Sequence, residues 1–201
     1  LSPSAVSRPL VLVHGLWDTP RLFRHLEAAL AGHRSERLLP HLPHRSGHTS
    51  LTVLAERLGE QIVAAYGPDL PIDLLGFSMG GVIARLWLQR LGGYKRTLRF
   101  ISLGSPQQGS LLALPWPQAL MPGLAEMKPG SPLLRQLNRD LSTLKAVECH
   151  SLFCRWDLMV VPGWRAVLPL GTRQELPVWT HRQLLTDPAA LTPLTALLLQ
   201  E

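Results

Sequence analysis

The chain changes its hydrophobic period at one point, and that point constrains its fold more than any other feature. Ahead of Ser78, the residues Ile72, Leu74, Leu75 and Phe77 read as a short buried strand. Behind it, in GFSMGGVIARLWLQRLGG (residues 76–93), Val82, Ile83, Leu86, Trp87 and Leu91 recur at the three- and four-residue spacing of a helix. The junction is Gly76-Phe77-Ser78-Met79-Gly80. Glycine two residues to either side of the serine lets a strand and a helix pack without a Cβ clash. Such a turn lifts the serine oxygen clear of the sheet and points the first amides of the new helix at the same spot. The chemical reading is a nucleophile. The plainer one is a tight turn whose serine only caps the helix.

The rest of the chain repeats the strand–helix alternation. Leu10 to Val13 reads as a buried strand ending at His14-Gly15, and Pro20 opens a helix that runs toward Gly32. A short strand at 37–41, a loop at 43–50 and a helix from Thr52 to Tyr66 follow. Beyond the Ser78 junction come a strand at 100–103, a helix from Pro132 to about Leu144, and a strand at 147–154. The last strand is expected at 175–179, and Asp187-Pro188 caps a closing helix. Alternation of this kind gives an α/β fold: a mostly parallel sheet of about six strands with helices on both faces. All 201 residues fit one domain. Between 100 and 125 there is no charged residue, and four prolines keep the segment irregular. Residues 107–145 are therefore expected to form a small cap-like insertion after the strand ending near Gly104, the alternative being an ordinary loop packed into the core.

In a parallel sheet, function gathers at the carboxyl ends of the strands. His14, Ser78, Gly104, Asp157 and His181 all fall just past predicted strand ends. A serine needs a base. Of the eight histidines, His25 and His33 read as surface groups, His150 lies inside a strand, and His14 shapes the loop after the first strand. His181, beyond the final strand, is placed to hang over Ser78. The base needs an acid to orient its ring. Asp157 falls at a strand end between the two, whereas Glu175 begins the expected last strand and so belongs to the opposite edge of the sheet. Asp140 reads as a solvated helix residue and Asp187 as a cap. Two backbone donors would complete the site: Met79 N–H, and one from the loop HGLWD, Leu16 N–H with Trp17 as the alternative.

Composition narrows the classes. A net charge of +6 is spread among scattered arginines with no interleaved aromatics, so nucleic acid is not an expected partner. A basic surface leaves room for transient contact with an anionic membrane surface. No apolar leader core follows Leu1, and no run is long enough to span a bilayer. Cys149 and Cys154 sit five apart on one predicted strand and face opposite ways, so they are not expected to pair. That suits a reducing, cytoplasmic setting.

With these residues in view the chain resembles an α/β-hydrolase of the bacterial lipase and esterase group. The matching pieces are LVLVHGLWDTP (10–20), GFSMGGVIARLWLQRLGG (76–93), ISLGSPQQGS (101–110), KPGSPLLRQLN (128–138), RWDLMVVPG (155–163) and the late His181. The resemblance implies a compact α/β-hydrolase fold and a serine carboxylic-ester hydrolase acting through Ser78, Asp157 and His181, with Leu16 and Met79 as oxyanion donors. Trp17, Phe77, Leu112 and Trp116 would contact a small-molecule or lipid ester. No metal or cofactor is implied. An acyltransferase or thioesterase would use the same residues; a non-catalytic ligand-binding module of this fold is the reading from another class. Two departures stand out: Phe77 replaces a histidine often found before the nucleophile, and Gln107 replaces one in the GSP-x-x-GS segment.

Overall fold

Six strands alternate with helices through residues 8–200, which are the residues described by the computed structural model. The first seven residues, where the sequence shows no apolar leader core, lie outside that range. The strands are β1 (Leu10–Val13), β2 (Arg37–Leu38), β3 (Ile72–Phe77), β4 (Thr97–Leu103), β5 (Glu148–Phe153) and β6 (Thr172–Glu175). They form one sheet in the order β2-β1-β3-β4-β5-β6, and every neighbouring pair is parallel.

Strand side chains alternate between two cores, as their two-residue period requires. Val11, Val13, Leu74 and Phe100 pack against α2 (Leu51–Tyr66) and α3 (Met79–Arg90). Leu10, Leu12, Leu75, Phe77 and Ile101 pack on the other side, against α1 (Arg24–Ala29) and α6 (Pro188–Leu198). Helices therefore cover both faces. Cys149 joins the first core and Cys154 the second, and both are free thiols. Ser50 caps α2 through Val53 N–H, and Asp187 caps α6 through Ala189 N–H.

The segment between β4 and β5 holds two short helices, α4 (Pro122–Ala125) and α5 (Pro132–Arg139). Ala113, Leu124, Met127, Leu134 and Leu137 are buried in the α3-side core. Leu112, Leu114 and Leu120 are exposed by 49%, 52% and 66%. The segment thus packs one side inward and turns an apolar side out.

Three expectations shift. The closing strand lies at Thr172–Glu175, not at 175–179. Its side chains TRQE are all exposed on the sheet edge, so they carry no hydrophobic alternation, while the apolar Leu176 and Val178 that suggested a strand plug the core from the turn that follows. The helix expected to reach Leu144 stops at Arg139, and Asp140 instead turns the chain by accepting Ser142 N–H. The strand expected at 37–41 is reduced to Arg37–Leu38.

Four arginines are buried inside this frame: Arg34, Arg85, Arg96 and Arg99. Arg34 pairs with Asp73 at 2.7 Å and also donates to the Leu198 carbonyl. Arg99 donates to the carbonyls of Leu197 and Gln200, so two guanidinium groups hold the carboxyl end of α6. Arg85, which burial lowers to about 10, reaches Leu137 O and Asn138 Oδ1 at the end of α5. Asp73 is 1% exposed and Arg34 fully buried. Asp73→Ala leaves that guanidinium without its counter-ion, and breaking such a pair costs about 3–5 kcal/mol. Urea unfolding is expected to show a loss of that size with the slope unchanged; a loss under about 1 kcal/mol would mean that water takes over the donors of Arg34 and of Arg8, which also pairs with Asp73 at 3.3 Å.

Candidate active site

Glycine sets the geometry of the β3–α3 turn. A Cβ on Gly80 would run into the Val13 carbonyl, and one on Gly76 into the Gly81 backbone. With the helix pressed this close, the chain reverses at a single residue, and Ser78 takes φ 55° and ψ −131°. That region is unfavourable for a residue with a Cβ. Ser78 stands at the N-cap position of α3, but its hydroxyl makes no capping bond to the helix. Met79 opens α3, so its N–H has no partner within the helix.

The loop after β1 meets the same point from the other side. A Cβ on Gly15 would lie 2.7 Å from the Ser78 Cβ and 3.2 Å from its Oγ, so the Gly15 backbone rests against the serine. His14 is buried beneath this loop. Its Nδ1–H donates to Gly15 O at 3.0 Å, and its Nε2 accepts Leu42 N–H at 3.2 Å. Burial pushes its pKa down. Trp17, in the left-handed region at φ 60°, has its N–H bonded to His44 Nε2 at 3.1 Å. Of the two donors left open by the sequence, Trp17 is therefore engaged, while no such backbone bond is recorded for Leu16 N–H among the described residues.

His181 follows β6 and its ring lies 4.6 Å from that of Phe77, centre to centre. Gly104, just past β4 at φ 54°, faces this ring: a Cβ there would approach Leu184 Cδ1 to 2.5 Å and His181 Cε1 to 3.2 Å, so a side chain would crowd the imidazole. Its Nδ1–H donates to Asp157 Oδ2 at 2.6 Å. That leaves the Nε2 lone pair of the neutral ring free, and Nε2 has no partner among the described residues. Asp157 is 3% exposed, and its other oxygen accepts Met159 N–H and Val160 N–H at 2.7 and 3.0 Å. Three donors thus satisfy a carboxyl group that solvent does not reach.

Ser78, His181, Leu16, Met79, Trp17, Phe77, Leu112 and Trp116 all line one cleft of about 550 Å³, and Asp157 stands behind His181. The size suits a small organic molecule. Glu175, expected at the opposite edge, stands at the carboxyl end of β6 near these groups. It is set apart by its own partner, a two-bond ion pair with Arg155 at 2.9 Å in solvent. The Phe77 ring forms the floor beneath His181. Gln107 stays out of the cleft, bonding Ser102 Oγ at 2.9 Å in the interior. Burial pushes both cysteine thiols up to about 12, which removes them as rival nucleophiles.

Three groups of the cleft and its frame escaped the sequence reading. Asp18 and Arg182 line the mouth, and burial raises the Asp18 carboxyl despite the nearby His181 and Arg182. Each neighbours a residue already singled out, which is the signal that could have found it. His44 comes from a loop whose composition says only that it is a loop.

The Asp157 bonds carry an expected outcome. Asp157→Ala strips the acceptor from the buried Val160 amide and the part-buried Met159 amide, at about 1–3 kcal/mol for a buried donor left unpaired and less for the other. Asp157→Asn keeps an oxygen for them. Urea unfolding is expected to find the alanine variant weaker by about 2 kcal/mol or more and the asparagine variant within about 1 kcal/mol of the parent; equal losses would mean that the turn 157–160 is held by something else.

Comparison with known proteins bears on the fold. The mature lipase BlEst2 of Bacillus licheniformis superposes with a TM-score of 0.74 at 17% identity, covering 100% of this chain and 95% of that one. Lipase B of Aspergillus fumigatus gives a TM-score of 0.73 at 18% identity, covering 92% of this chain and 50% of that one. MGS-MChE2, an alpha/beta hydrolase enzyme from lagoon sediments of Mar Chica, Morocco, gives 0.69 at 19%, covering 97% and 91%. A search of curated protein sequences gives no match. The family model described as the alpha/beta hydrolase family matches residues 10–199, and the chain belongs to that family.

Proposed function

We propose that the protein is a serine carboxylic-ester hydrolase of lipase or esterase type. The observation that carries this reading is the 2.6 Å bond from buried Asp157 to His181, beside a strained, uncapped Ser78 in an apolar cleft. Ser78 Oγ attacks the ester carbonyl while His181 Nε2 takes its proton. Asp157 holds the ring and stabilises the imidazolium that forms. The negative oxygen of the tetrahedral intermediate is received by Met79 N–H and Leu16 N–H, each worth about 3 kcal/mol in such sites. His181 then protonates the leaving alcohol, and water cleaves the acyl-enzyme by the same route in reverse. The lipases of the same fold agree with this reading.

An acyl chain would lie along the uncharged segment, where Leu112 and Trp116 line the cleft. In this reading residues 107–145 act as a cap-like wall. Trp17, Leu112 and Met159 are exposed as well as lining it, which suits an ester presented at a lipid surface.

Ser78→Ala is expected to lower kcat on acyl esters by about 10⁶-fold and to abolish labelling by a fluorophosphonate probe, with the melting temperature kept. Ser78→Ala/His181→Ala should be little worse than the single variant, because such residues act as a unit. Turnover and labelling that survive Ser78→Ala would sink the assignment.

Leu112 is half exposed, so Leu112→Asp can fold. Each methylene contributes about 0.8 kcal/mol of transfer energy, so the loss in kcat/KM should grow from acetyl through butyryl and octanoyl to palmitoyl esters. A folded variant with an equal loss on every ester removes the acyl wall and leaves the hydrolase reading intact. Running thioesters and an added alcohol acceptor in the same panel separates hydrolysis of esters from thioester cleavage and acyl transfer.

A further inference from the structure

Two loops at the edge of the cleft are stitched together by reciprocal histidine bonds. His14, in the loop after β1, accepts Leu42 N–H from the loop after β2. His44, in the loop after β2, accepts Trp17 N–H from the loop after β1. Each imidazole therefore takes an amide from the other's loop through Nε2, and each bond requires that nitrogen to be unprotonated. Their rings lie 6.0 Å apart, edge to face.

These bonds fix two consecutive peptide planes. His14 Nδ1–H grips Gly15 O, and the Leu16 N–H belongs to that same planar, trans peptide and so points the opposite way. His44 grips the N–H of the next peptide, that of Trp17. Trp17 is a bulky residue at φ 60°, a conformation that costs free energy and persists only where its surroundings hold it. His44 supplies the bond recorded for its amide.

We propose that His44 is a positioning residue: its neutral imidazole clamps Trp17 and so aims Leu16 N–H at the oxygen that forms beside Ser78, and protonation of His44 releases the loop. The proposal rests on the reading of Leu16 as an oxyanion donor. Protonation turns Nε2 from acceptor to donor, and it then opposes the Trp17 N–H. The ionisable groups facing His44 are Asp18, His41 and His14. Asp18 favours the cation and His41 opposes it; burial is the largest influence and pushes His44 below its ordinary value. The clamp is therefore closed at neutral pH and opens only on the acid side of the usual histidine range.

The test follows the Trp17 backbone amide by NMR in the whole chain, beside kcat and KM on a butyryl ester. His44→Leu fills the space without an acceptor; His44→Gln keeps an acceptor that does not titrate. The leucine variant is expected to exchange its Trp17 amide about tenfold faster or more, with kcat down about tenfold and KM within about threefold. The glutamine variant should restore both to within about threefold, and the pH titration of the Trp17 resonance seen in the parent should vanish. Unchanged exchange in His44→Leu overturns the proposal, as does faster exchange with parental kcat. Should the leucine variant not fold, a Trp17 titration that persists in His44→Gln overturns it. Fluorophosphonate labelling of the parent reads the hydrolase assignment separately: no labelling at Ser78 removes the catalytic role, while the amide data still report whether His44 holds the loop.

Discussion

The cleft depends on one steric condition, the approach of α3 to the ends of β1 and β3 with no side chain between them. Gly80 meets the Val13 carbonyl and Gly76 meets the Gly81 backbone. Only this closeness makes the chain reverse within a single residue, and the reversal carries Ser78 into its unfavourable backbone conformation at a cost of about 1–3 kcal/mol. Two buried layers, one on each face of the sheet, hold that conformation in place. The same approach leaves Met79 N–H at the open end of α3 and sets the Gly15 backbone against Ser78. Position at the serine is thus a property of backbone packing, and no side-chain bond is needed to fix it.

The other half of the site is held differently. His181 arrives beyond an exposed edge strand, on a turn anchored in the core by Leu176 and Val178, and its place depends on a buried carboxylate, an aromatic floor and a glycine beneath it. Asp157 links this half to the segment after it by accepting two of that segment's amides. The serine side is a rigid seat in the middle of the sheet. The histidine side is a bonded network at the sheet's periphery.

What could be read from the sequence follows the same division. The sheet, its helices and the Ser78 junction were legible because buried strands and amphipathic helices leave a period, and because close backbone packing demands glycine. The pairing of Asp157 with His181 was legible from chain order, although the strand expected to end just before His181 ends at Glu175. The edge was not: β6 has no buried face, so TRQE left no signal and the apolar turn behind it was mistaken for the strand. That displaced Glu175 to the wrong end of the sheet, and the argument against it failed although Asp157 is the residue bonded to His181. Leu16 was preferred to Trp17 from the sequence, but the bond that engages Trp17 N–H, to His44 across 27 residues, left no sequence signal.

The buried arginines change the meaning of the chain's basic balance. Arg34, Arg85, Arg96 and Arg99 direct their donors into carbonyls at helix ends and loops, and one of them also into Asp73. They count fully toward the net charge of +6 but present almost nothing to an approaching anion. A polyanion meets a surface somewhat less cationic than the whole-chain balance implies, because these four arginines, offset in part by buried Asp73 and Asp157, serve as internal mortar for the carboxyl ends of helices. A high isoelectric point in this chain is accordingly in part a record of how the interior is tied together.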